Sequence, residues 1–187
     1  MKKTSVLLVL SALMSFVPFR AAAERADAGT VEVGLNLMYD TDTVAGADWT
    51  LGALLGYFWT DGWMVSGEFR LEDNDYTTLY SAVAGVEKSF EVGSADTITP
   101  FIPYVGAGVG FASASFENRG KKEEEEDRDG TAMILEFKGG LKVMLTGDLA
   151  LDVGVYCDLA TDDVYFDKDG PSKTDVSIRM GLRTFLF

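Results

Sequence analysis

The stretch MILEFKGGLKVMLTGDLALDVGVYCDL, residues 133–159, decides the fold. Its first half puts Glu136, Lys138 and Lys142 on one parity and Leu135, Phe137, Leu141 and Val143 on the other. Its second half sets Asp152, Tyr156 and Asp158 against Leu151, Val153 and Val155. Alternation with a period of two marks a β-strand with two unlike faces. The TGD between the halves (146–148) is a tight turn whose glycine supplies a left-handed position. Around Gly147, Lys142 falls directly opposite Asp152, a favourable cross-strand pair.

The same period recurs along the chain. TVEVGLNLMY puts Val31, Val33, Leu35, Leu37 and Tyr39 on one face and Glu32 on the other. WTLGALLGYFW aligns Trp49, Leu51, Ala53, Leu55, Tyr57 and Trp59, and WMVSGEFRLE opposes Trp63, Val65 and Phe69 to Glu68, Arg70 and Glu72. TLYSAVAGVEKSF (78–90) is strand-like but its phase is open. PYVGAGVGFASA (103–114) alternates glycine with apolar residues, and 174–187 sets Arg179 and Arg183 against Val176, Ile178, Met180 and Leu182. That makes eight strands. TDG (60–62) and TGD are short, whereas 40–48, 73–77, 115–131 and 160–173 are longer polar loops, the habit of outer-membrane barrels. The 91–100 connection is longer than that habit.

Lipid must meet the apolar face. Turned outward, Arg70, Lys138, Lys142, Arg179 and Arg183 would each cost ~2–4 kcal/mol near the bilayer midplane. Five such terms rival the ~5–15 kcal/mol stability of a whole domain. The expected fold is therefore all-β, an eight-stranded antiparallel up-and-down transmembrane β-barrel over 29–187. A water-soluble exported barrel with an apolar interior is the rival that alternation alone leaves open. Tyr39 and Trp49 beside the first loop, and Tyr57, Trp59, Trp63, Phe90, Phe101, Tyr104, Phe185 and Phe187 at the opposite end, suggest two aromatic girdles.

The chain starts with a basic MKK and an apolar run, Val6–Val17, too short to span a bilayer as a helix. Two A-x-A-like sites follow, ending at Ala23 and Ala28. Residues 1–23 thus read as a secretory signal peptide, with cleavage as late as 28 as the other option. The only cysteine, Cys157, lies in an apolar strand register and has no internal partner.

Two stretches carry a resemblance. PYVGAGVGF (103–111) resembles a strand segment of small outer-membrane barrels of the OmpA, OmpX and OmpW kind. The closing FLF resembles their C-terminal assembly signal, with Phe187 last and Phe185 two residues earlier. Arg183 departs from the apolar residue that pattern expects, and the Ile178–Leu182 series has the opposite parity to Phe185 and Phe187. A bulge near Thr184, or aromatics turned out at the interface, would reconcile them. The resemblance implies an integral protein of the Gram-negative outer membrane. Its expected partners are membrane lipid, lipopolysaccharide and the barrel-assembly machinery.

The candidate site is the lumen, with Glu32, Glu68, Arg70, Glu72, Glu136, Lys138, Lys142, Asp152, Asp158, Arg179 and Arg183. An eight-stranded interior is just wide enough for side chains to fill it, so these charges are expected to pair, and the strand-five glycines to make room for long basic side chains. Glu32 and Arg183 fall at the same, periplasmic end. The function read from this is non-enzymatic: a structural or surface-interaction role through loops 115–131 and 160–173, which would meet an extracellular partner. The alternative is a narrow passive pore for ions or small solutes.

Other chemistries are declined. The chain has 30 acids, 16 bases and no histidine, a formal charge of −14, which argues against nucleic acid. Without histidine, no nucleophile–base set is recognisable. EEDRDGTAMILE (125–136) approximates a calcium loop, but strand rather than helix follows and Glu136 points into the lumen, so no metal is expected. GAGVG (106–110) lacks the last glycine of a dinucleotide fingerprint, and no cofactor is expected. KKEEEEDRD (121–129) reads as a solvated outer loop, and Tyr165 and Phe166 as exposed aromatics in the last loop.

Overall fold

The computed structural model describes residues 26–43, 46–73, 77–90, 101–116, 129–167 and 170–187. The expected leader and nearly all of the acidic run 121–129 lie outside the described residues, as do the side chains of Tyr39 and Phe166. Ten strands occur in chain order: β1 Val31–Thr43, β2 Gly46–Thr60, β3 Trp63–Asp73, β4 Thr77–Ser89, β5 Phe101–Phe116, β6 Asp129–Met144, β7 Leu149–Ala160, β8 Tyr165–Asp167, β9 Gly170–Ser172 and β10 Thr174–Leu186. Eight of them, β1–β7 and β10, close a barrel in the order β1-β10-β7-β6-β5-β4-β3-β2. The short β8–β9 hairpin sits within the last loop. Closure between β1 and β10 runs from Val31↔Leu186 to Leu37↔Met180. The barrel wall thus closes on itself, its first strand paired with its last.

The alternation becomes an outside and an inside. Leu55, Val109, Phe111, Val176 and Ile178 are each at least 60% exposed on the outer wall. Cys157 stands among them, half-exposed, in register with Phe137 and Val176. So wide an apolar surface is tolerable only against hydrocarbon. Among the described residues no helix is long and apolar enough to cross a membrane. Placing arginine at Val109, midway along β5, is expected to lower stability by ~2–4 kcal/mol, against ~0–1 for Leu145→Arg at the turn end. Urea unfolding in bilayers checks the contrast.

Four sequence expectations change. The β4 phase resolves with Leu79, Ser81, Val83, Glu87 and Ser89 inward. Gly62 does take a left-handed φ of 70°, but Gly147 does not. In that turn the Thr146 hydroxyl accepts the Leu149 N–H at 3.1 Å, and Leu145 N–H reaches the Leu149 carbonyl at 2.8 Å, so a side chain does the work expected of the glycine. No bulge occurs near Thr184: β10 keeps one register with β7 from Thr174 to Thr184 and with β1 to Leu186. Phe185 therefore keeps the parity of Arg183 and points inward, 2% exposed, while Phe187 is 68% exposed. Tyr104 is likewise inside rather than in a girdle. Trp59 and Trp63 do stand outside at the turn end, stacked with centroids 6.3 Å apart, with the Lys88 ammonium 5.3 Å over the Trp63 ring.

Candidate functional site: a charged lumen between two apolar layers

Ten of the eleven charged residues expected in the lumen are buried there. Strand parity alone delivers them, because each lies an even number of residues from its inward neighbours. Glu87, missed because the β4 phase was open, joins them, so six buried carboxylates face five buried cations. Glu72, the eleventh, is only half-buried, in register with Leu79 toward the loop end of β3.

The charges form two groups. Toward the loop end, Arg70 spreads its guanidinium between Asp158 (Nη1–Oδ2 2.8 Å) and Glu136 (Nη2–Oε2 2.8 Å). Arg179 approaches the same two acids at 3.0 and 3.7 Å and Asp175 at 3.5 Å, with its guanidinium 4.4 Å from the Tyr156 ring centre. Glu68 accepts from Asn36 Nδ2 at 2.9 Å and lies 4.0 Å from Arg70 Nε. The planar fork of arginine suits this sharing between carboxylates.

Toward the turn end, Lys142 Nζ sits between Glu87 Oε1 at 2.6 Å and Glu32 Oε2 at 2.7 Å. Lys138 approaches Glu87 from the other side at 3.6 Å. Arg183 lies 3.4 Å from Glu32 and bonds Asp152. The expected register of Lys142 opposite Asp152 is present, but the expected ion pair is not. Lys142 reaches across the lumen to β1 and β4, leaving its neighbour Asp152 to Arg183. A lysine stem is long enough to choose a partner beyond the adjacent strand, and Glu32 and Glu87 together offer two acceptors.

Glycines make this packing possible at particular places. A Cβ at Gly34 would collide with the Arg183 guanidinium, and one at Gly140 would come within 2.6 Å of the Tyr104 phenol oxygen. In strand five the room expected for basic side chains exists at Gly106, beneath Lys138, whereas Gly108 and Gly110 face Val83 and the β4 backbone.

Above and below the charges lie apolar layers. At the loop end Leu79, Ala112, Ala114, Ala132, Ile134, Val164 and Tyr165 form one cluster. Tyr165, expected to be exposed, is 5% exposed, because the last loop folds back into the mouth where its hairpin begins. Burial pushes its phenol above the ordinary range, and the nearby Asp158 carboxylate adds to the shift. At the turn end Ala26, Phe58, Met64, Ala150 and Phe185 form the second cluster. Among the described residues no group of acids is arranged to hold a metal ion. The loop end of the calcium-like match lies outside the described residues, and its Glu136 is engaged by Arg70.

The sequence matches the outer membrane protein β-barrel domain family over residues 7–183. The chain belongs to that family. Its barrel is similar to the N-terminal β-barrel domain of Pseudomonas aeruginosa OprF, with 14% identity and a TM-score of 0.61, covering 85% of this chain and 98% of that one. Neisserial surface protein A gives 18% identity and a TM-score of 0.54, covering 83% and 94%. Ail, the attachment invasion locus protein of Yersinia pestis, gives 12% and 0.53, covering 85% and 99%. At these identities the likeness is one of fold. The chain has no match among curated protein sequences. For a barrel of this family, the charged lumen and its two apolar closures are the features that bear on function.

Proposed function

We propose that this outer-membrane barrel is a sealed, non-enzymatic scaffold that resides in the outer membrane and presents its long loops to the outside, rather than a pore. The observation that carries the reading is the filled lumen: paired charges in the middle and an apolar layer at each end. An ion entering from either side would shed water against apolar side chains that offer it no ligand, and then meet charges already paired with one another. The near balance of buried acids and bases also gives no preference for one sign of ion.

Loop presentation draws support from strand length. β5 and β6 stay paired up to Ser115↔Asp129, whereas β7 leaves β6 at Ile134↔Ala160, so the β5–β6 hairpin rises past its neighbour. The stretch between these two strands, 117–128, holds most of the strongly acidic run. The partner this surface would serve is extracellular, with lipopolysaccharide held through bridging divalent cations as the nearest candidate. Phe185 and Phe187 remain proposed as the assembly signal, now with Phe187 alone presented to the outside.

Planar-bilayer recording of the refolded protein, its folding verified by heat-modifiable gel mobility, tests the seal. No reproducible current steps are expected. Steps that change with Arg179→Ala or Glu68→Ala would establish a conducting lumen and sink the proposal.

A further inference from the structure

The turn end of the barrel is closed in part by residues that precede its first strand. Ala26 is buried against Phe58, Met64, Ala150 and Phe185. Its carbonyl accepts the N–H of Gly62, itself buried in the β2–β3 turn, at 2.6 Å. Thr30 N–H returns to the Asp27 carbonyl at 3.2 Å, and Ala28 N–H donates to Asp61 Oδ1 at 3.2 Å. Gly29 N–H donates to the Phe58 carbonyl at 2.8 Å, and Phe58 N–H to the Thr30 carbonyl at 2.9 Å. Residues 26–30 are thus a strap, tied at several points to β2 and the turn after it, with one small side chain pressed into the apolar layer.

The two A-x-A sites stand in different relations to this strap. Ala21-Ala22-Ala23 lies before it, and Ala26-Asp27-Ala28 lies inside it. We propose that export processing hydrolyses the Ala23–Glu24 peptide bond and that the second small-residue site is retained as structure. Water supplies the hydroxyl of the new Ala23 carboxyl and the hydrogen of the new Glu24 amine. The inference rests on the reading of residues 1–23 as a leader. Both sites offer small residues to a peptidase acting on an unfolded chain. The products differ. A cut after Ala28 removes Ala26, uncovers Phe58, Met64 and Phe185, and strips the buried Gly62 N–H of its acceptor. It also turns the Gly29 nitrogen, bonded to the Phe58 carbonyl, into an ammonium at the edge of an apolar layer. A cut after Ala23 keeps the strap whole and places the new charge beyond it.

The test is intact mass and N-terminal sequencing of the barrel extracted from outer membranes of a Gram-negative host expressing the full chain. The expected mature terminus is Glu24, with processing blocked by Ala23→Asp and unaffected by Ala28→Asp at an exposed position. A terminus at Gly29, or the reverse pattern in the two variants, would overturn the proposal. A chain that still carries Met1 would overturn it together with the leader reading, and the mass distinguishes the two failures. As a second arm, leaderless chains beginning at Glu24 and at Gly29 are refolded side by side. The shorter is expected to unfold several degrees lower, and equal midpoints would remove the structural reason for the choice.

Discussion

Lys142→Met is expected to lower the unfolding free energy of the barrel by ~3–5 kcal/mol, the scale on which removing one member of a buried ion cluster acts. The ammonium is the nearest cation to both Glu32 and Glu87, and the residue is 1% exposed. Methionine fills much of the stem's volume, so the loss is electrostatic more than steric. What remains is a pair of buried carboxylates on one site, with Arg183 at 3.4 Å from the first and Lys138 at 3.6 Å from the second. Asp152 is the useful contrast. It faces Lys142 in register but is held by Arg183, so it is not orphaned by the substitution. Urea titration of the folded protein measures the effect. Adding Glu32→Gln and Glu87→Gln to Lys142→Met should restore a large part of the loss. An unchanged unfolding midpoint for Lys142→Met would mean that the cluster contributes nothing to stability.

Arg70→Met is expected to cost a similar ~3–5 kcal/mol, for the same reason at the other end of the lumen. Its guanidinium serves Asp158 and Glu136 through different nitrogens, each at 2.8 Å. Arg179 lies 3.0 Å from Asp158 and 3.7 Å from Glu136, so it covers the first acid better than the second. Arg70→Lys should recover little, because one ammonium cannot occupy both arms of the fork. If the lysine variant matches the parent in urea titration, the two-armed geometry is not what holds this region together.

Particular residues show what the sequence could and could not disclose. Glu136 and Lys142 declare their face at once, because each is flanked by large apolar residues that must go the other way, and Lys138 follows from Phe137 beside it. Glu87 does not. In β4, Ser81 and Val83 point inward while Ala82 and Ala84 point outward, so the faces are alike in size and polarity and no phase stands out. Glu87 and Lys88 then put charge on both faces side by side. Partners within the lumen were less legible than its membership. Register names the neighbour across the ladder, Asp152 for Lys142, but long side chains reach beyond neighbours to whichever acids the closed wall brings round. Closure is a property of eight strands together, and no pair of segments contains it.

Phe185 and Tyr165 fail for two further reasons. The end pattern of the chain suggested an outward Phe185, yet an unbroken register from Thr174 onward leaves the side chain no choice but the inside. There it finds Phe58 and Met64, which also lie inward at the turn end. Tyr165 sits in a polar stretch, where exposure is the default expectation. What buries it is a return of the loop into the mouth beside Leu79 and Ile134, a tertiary event with no local signal.

The seam between β1 and β10 joins strands that no turn connects, and its ladder is short, ending at Leu37↔Met180, while that of β5 and β6 runs from Phe101↔Val143 to Ser115↔Asp129. Every other junction of the wall can zip from a hairpin, but this one must wait until both ends of the chain have found each other, at the full entropic cost of the largest loop in the molecule. It is therefore the last junction to form and the first to part. Backbone amides of Val31–Leu37 should exchange with solvent ahead of those in β5 and β6, and the Arg183–Glu32 pair bridging the two strands acts as the latch that slows the parting.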